Sequence, residues 1–166
     1  QSAILAIPVR DTLKLVHTEN QIEKTLEKAK SLQKEIDKLD QRLKSEKELD
    51  FQEKKQIEDV LKKRDELMNE IKEMQEQNKM SQQKQERFAQ ENQELKQKME
   101  QLQKLMNELL DPETKKLYEQ LEKMLEQKQT DDKMQELMNK LKNKEFNTQK
   151  EIEKALEMFK RMKLEQ

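Results

Sequence analysis

Hydrophobic residues recur along this chain at alternating spacings of three and four. With Ile22 as position a of a seven-residue repeat, Ile22, Ala29, Ile36 and Leu43 alternate with Leu32 and Leu39 at position d. The same frame runs on through Ile57, Val60, Leu67, Ile71, Met74, Leu95, Met99, Leu102, Met106 and Leu109. Of the 26 a and d positions from Ile22 to Leu109, 17 are apolar, where an overall apolar fraction of 31% would place about 8. A sustained repeat of seven keeps every a and d residue on a seam that faces a neighbouring helix. The expected fold is all-α, a long antiparallel coiled-coil or helical-bundle segment followed by short helices.

The exceptions to the repeat are clustered. Glu46, Asp50 and Glu53 fill three successive core positions, and Asn78, Ser81 and Gln85 fill three more. A dry straight seam would have to bury acid after acid, each at considerable cost. In a parallel in-register dimer Glu35 would face Asp40 and Arg42 would face Lys47, both repulsive, against one attractive pair, Glu91 with Lys96. Leu26, Leu49, Leu61, Met68, Ala89 and Leu105 widen the apolar stripe towards the face used in bundles. Asp50 with Glu53 has the form of a capping box, as does Ser45 with Glu48. These features predict helices from about Thr18 to Lys44, Phe51 to Gln77 and Ser81 to Leu110, with breaks near 45–51 and 78–85. In this reading Leu49 and Phe51 close the end of a hairpin. The competing reading is an unbroken helix carrying polar layers.

Outside that region, residues 1–17 form an expected extended N-terminal segment containing "AILAIPV", although Asp11 could start the first helix a turn or two early. Residues 18–110 carry the long helices, and 111–166 an expected bundle of short ones. Asp111 followed by Pro112 reads as an N-cap and first helical residue, where the missing N–H is harmless. One face then carries Leu117, Tyr118, Leu121, Met124 and Leu125; a short helix follows with Met134, Leu137, Met138 and Leu141. A last helix from about Thr148 presents Ile152, Ala155, Leu156, Phe159 and Met162. The initial Gln and the lack of a helix stop before Gln166 suggest a piece of a longer protein.

Composition narrows the function classes. Lys and Arg number 35 against 36 Asp and Glu, with the signs interspersed, which argues against nucleic acid as a partner. The apolar run from Ala3 to Val9 is far short of the roughly 20 residues needed to span a membrane, so no direct membrane insertion by this segment is expected. With Gly 0 and Cys 0 there is no phosphate-binding loop, EF-hand loop or thiolate metal site. The single histidine, His17, reads as an exposed polar residue. The acidic pairs Asp131 with Asp132 and Glu46 with Glu48 read as solvated helix starts rather than cation ligands. The expected set of catalytic, cofactor-binding and metal-ligating residues is therefore empty, with no cofactor and no enzyme activity. The 10 methionines admit a sharper idea, a client-binding groove, but Met74, Met99 and Met106 fall at a or d positions. Met124, Met134, Met138 and Met162 likewise fall on apolar helix faces, where core filling accounts for them.

Three stretches, "LDFQEKKQIEDVLKKRDELMNEIKEMQEQ" at 49–77, "KMEQLQKLMNELLDPETKKLYEQLEKMLEQ" at 98–127 and "EIEKALEMFKRMKLEQ" at 151–166, resemble the coiled-coil-rich region of a family of large membrane-anchored bacterial proteins whose function is not defined. The more specific parts are Leu49 to Phe51, the break before Pro112, and Leu156 to Phe159. The resemblance implies membrane attachment through other parts of the parent protein, helices in an aqueous compartment, and continuation beyond Gln166. It transfers no catalytic or binding residues. The expected function is a non-catalytic helical scaffold or protein-interaction module, engaging protein partners or itself through its helices. The alternative is a holdase-type chaperone with Met-lined grooves.

Overall fold

The computed structural model describes residues 9–86 and 93–165. Helix α1 spans Val9–Ser45, α2 Phe51–Glu86, α3 Gln93–Leu109, α4 Pro112–Lys123 and α5 Asp132–Glu165; a 3₁₀ turn, Met124–Glu126, extends α4. Among the described residues there are helices and no strands, so the chain is all-α. The longest, α1, has 37 residues and is about 55 Å long.

The chain reverses between α1 and α2. Cross-helix pairs run in opposite senses: Arg42 meets Glu53 near the connection, Lys24 approaches Glu70 further along, and Gln21 meets Gln77 further still. The same order relates α2 to α3 through Gln75 with Asn107, and α1 to α5 through Asp40 with Lys142 and Glu23 with Lys160. Helices α3 and α4 together form one bent fourth column. The four columns alternate up and down, and short connections make sequence neighbours antiparallel.

The seven-residue frame marks the core. Ile22, Ala29, Leu32, Ile36, Leu39 and Leu43 of α1 are buried, as are Ile57, Val60, Leu67, Ile71 and Met74 of α2 and Leu95, Met99, Leu102 and Met106 of α3. They join one hydrophobic cluster with Tyr118 and Leu121 of α4 and with Met134, Met138, Leu141, Ile152, Leu156 and Phe159 of α5. Burying each large aliphatic side chain stabilises by about 1.5–3 kcal/mol. That offsets the chain entropy lost in ordering helices with so polar an exterior.

The predicted corner at Asp50 is formed by the chemistry expected of it. The Gln52 backbone N–H donates to Asp50 Oδ1 at 3.0 Å, and Glu53 Oε2 accepts from the Asp50 N–H at 3.3 Å, completing the capping box. Ser45 forms no second box; its hydroxyl turns back to the Arg42 carbonyl. Leu49 is buried and closes the bundle end, but Phe51 is 80% exposed and does not. Asp111 caps α4 by accepting from Glu113 N–H, with Pro112 in the first turn.

Three expectations about element bounds differ from the structure. Residues 9–17 are helical, not extended, so α1 begins well before Thr18; residues 1–8 lie outside the described set. The break near 78–85 is absent, because α2 stays helical to Glu86, and residues 87–92 lie outside the described set. Asn78 is buried, and its amide donates to the Met99 carbonyl at 3.1 Å and to Gln103 Oε1 at 2.9 Å. A polar core residue so bonded continues a helix rather than ending it. Finally, α5 is one helix of 34 residues with no second start at Thr148. Neither glycine nor proline interrupts it, and its buried residues Met138, Leu141, Glu145, Ile152, Ala155 and Phe159 stay in one phase.

Candidate functional site

Of the acids at core positions Glu53 is buried, whereas Glu46 and Asp50 are exposed on the corner; Glu53 and the other buried charges, Asp40, Arg64 and Glu145, lie in ionic layers. The central one joins three columns. Arg64 of α2 donates from Nη1 to Glu145 Oε1 of α5 at 2.9 Å, and Tyr118 of α4 donates its hydroxyl to the same oxygen at 2.7 Å. The Arg64 guanidinium also lies 4.7 Å from the Tyr118 ring centre, so the ring face adds a cation–π contact. Glu145 is fully buried. Burial pushes its carboxyl above the usual carboxylate range, against the opposing pull of Arg64 and the Tyr118 hydroxyl. Burial, with the Glu145 charge beside it, raises the Tyr118 hydroxyl well above its ordinary value.

A second layer lies towards the α1–α2 corner. Asp40 accepts from Lys142 of α5 and Lys44 of α1, each at 3.0 Å. Burial pushes the Asp40 carboxyl up, but the lysine hydrogen bonds and charges outweigh it and hold it below its ordinary value. A third layer pairs buried Glu53 with Arg42 Nε at 3.0 Å, and Arg42 also donates to Gln52. Glu53 therefore tolerates the core position by serving both the ion pair and the cap.

At the same end the two connections are tied together. The Leu49 N–H donates to the Lys128 carbonyl at 2.9 Å and the Thr130 N–H to the Lys47 carbonyl at 2.8 Å, forming an isolated antiparallel bridge between Glu48 and Gln129. The Thr130 hydroxyl is also within donating distance of the Glu46 and Lys47 carbonyls. Between α4 and α5, next to this bridge, is an open pocket of about 230 Å³. Met124, Met134 and Leu137 form its floor, and Lys123, Asp131 and Lys133 its rim.

The residues weighed in the sequence as possible chemistry are placed as follows. His17 is exposed and lies 3.1 Å from Gln77 Oε1. Asp131 accepts the Met134 N–H at 2.9 Å, a helix cap, and Glu46 and Glu48 are exposed on the corner. No group of three or more potential metal ligands occurs among the described residues, and no described helix is long and apolar enough to cross a membrane. The methionines at heptad or apolar-face positions, Met74, Met99, Met106, Met124, Met134, Met138 and Met162, are all buried.

Sequence reasoning alone does not single out Glu145. Continuing the spacing backwards from Ile152 and forwards from Met138 and Leu141 lands on it, but dividing α5 at Thr148 hides that phase. No protein-family model, curated protein or solved structure matches the chain.

Proposed function

We propose that this chain is a non-catalytic helical scaffold or protein-interaction module, a segment of a larger membrane-anchored bacterial protein. The observation that supports this most is where the ionisable chemistry goes. Arg64 with Glu145, Asp40 with Lys142 and Lys44, and Glu53 with Arg42 each bond to one another inside the bundle or at its edge. Such layers fix which helices pair and in what register, a use well attested for polar groups in helical cores. The acids and bases of these layers are spent on one another rather than turned towards a substrate-sized cavity, as catalysis would require.

The chaperone reading needs methionines at a surface. The seven that would carry it fill the core, which favours the scaffold. The test is capture of protein partners by the immobilised chain from its native source, with each hit re-tested as a purified protein. Direct saturable binding, weakened by substitutions on one exposed bundle face, is the expected result. Failure to bind any purified hit, or turnover of a substrate by the purified chain, overturns it. Suppression of client aggregation that is lost when exposed Met80 and half-buried Met158 become Gln would replace it with the chaperone.

A further inference from the structure

We propose that the small cavity between α1, α2 and α3, at the end of the bundle away from the Asp50 corner, is a binding site for an ordered water molecule held by the side-chain oxygen of Asn78. Such a site is independent of the interaction-module reading.

Asn78 is 4% exposed, and its amide nitrogen donates twice, to the Met99 carbonyl at 3.1 Å and to Gln103 Oε1 at 2.9 Å. Turning the amide over would set its oxygen against the Met99 carbonyl, and two acceptors cannot bond each other. Oδ1 is therefore the atom left over. It is shut off from solvent and has no hydrogen-bond partner within the chain. An acceptor buried unbonded forfeits the hydration it has in the unfolded chain, so native interiors supply such a group with a protein donor or with water.

Asn78 lines a cavity of about 40 Å³, against the roughly 10–15 Å³ that one water molecule needs. Met74 and Leu102 give it apolar walls with nothing to donate, while Thr18, also 4% exposed, lines it from α1 and brings a hydroxyl that both donates and accepts. The lining selects among occupants. Its ionisable members, Lys14 and His17, are both bases and disfavour a cation. An anion on Asn78 Oδ1 would again set acceptor against acceptor, and an apolar ligand would leave that oxygen unbonded. Water is neutral and both donates and accepts, so it fits the oxygen and the hydroxyl alike. With water between Asn78 and Thr18, this polar layer joins α1, α2 and α3, as Arg64, Tyr118 and Glu145 join three columns at the centre.

A crystal structure of the full chain that resolves ordered solvent tests this without any substitution. The expected result is a density peak inside the cavity within about 2.5–3.0 Å of Asn78 Oδ1, the span of an O–H···O bond. No peak there overturns the proposal. So does a peak that scatters anomalously after soaking in bromide or in rubidium, which marks an adventitious ion only. In solution, oxygen-17 relaxation dispersion counts the waters held longer than bulk ones. N78L, apolar at the same heptad position, should hold fewer of them than the wild type while keeping its helical circular dichroism spectrum. An unchanged number in folded N78L overturns the proposal.

Discussion

Removing one member of the central layer should be far more damaging than removing all three. At 2.9 Å the Arg64–Glu145 attraction is about 6 kcal/mol for an effective dielectric constant of about 20. Most of that offsets the loss of hydration of two charges, so the pair itself adds little. In E145L the attraction vanishes while the buried guanidinium keeps its charge, because arginine does not deprotonate in proteins. The expected loss is about 3–5 kcal/mol, a fall in melting temperature of roughly 6–20 °C for a domain of this size. R64M should cost about as much at neutral pH but less in mild acid, where Glu145, already raised by burial, can take a proton. R64M/Y118F/E145L replaces every polar group in the layer by an apolar one, and its stability should return to within about 1 kcal/mol of wild type or exceed it. Urea unfolding followed by circular dichroism measures all of these. If the triple variant is as unstable as E145L, or if E145L loses less than about 1 kcal/mol, the layer is not the paired buried charge described above.

The acid side of the stability profile should have two opposing parts. Hydrogen bonds hold Asp50 and Asp111 below their ordinary values, and the lysines hold Asp40 there against burial. Their contribution is complete above the unfolded value of about 3.9 and is lost as pH falls through the lowered folded values. Glu145 is raised, so its contribution is complete below about 4.3 and is lost as pH rises through its folded value. Urea unfolding at successive pH values should show E145Q lacking that second decline and keeping the first. At the corner, L49A should cost about 2–5 kcal/mol, as a buried leucine does. F51A should stay within about 0.5 kcal/mol, as an exposed residue does; equal effects in thermal unfolding would contradict the burial contrast.

Much of the architecture is legible along the chain because it rests on local rules. The a and d frame names the buried faces of α1, α2 and α3, and Asp50 with Glu53 and Asp111 with Pro112 name two of the turns. The misreadings share a cause: a polar residue at a core position looks, along the sequence, like a place where a helix stops. At Glu53 this gives the right corner, since a cap and a reversal are local. At Asn78 it fails, because the Met99 carbonyl and Gln103 that satisfy the side chain belong to another helix and are invisible along the sequence. Glu145 escapes notice for the same reason, its partners lying 81 and 27 residues away. Phe51 shows the converse. Hydrophobicity suggests burial, but the first turn of α2 points that side chain to solvent while Leu49 takes the inward place.

The placement of the bridge between the α1–α2 and α4–α5 connections has a mechanical consequence. With four columns alternating in direction, the start of α1 and the end of α5 both lie towards the end opposite the bridge. Tension applied through those two points pulls α1 and α5 apart crosswise, not lengthwise. The layers then load one after another: Glu23 with Lys160 first, Asp40 with Lys142 later, the paired connections last. The bridged connections lie farthest from the points of load and are the last contacts that such tension reaches.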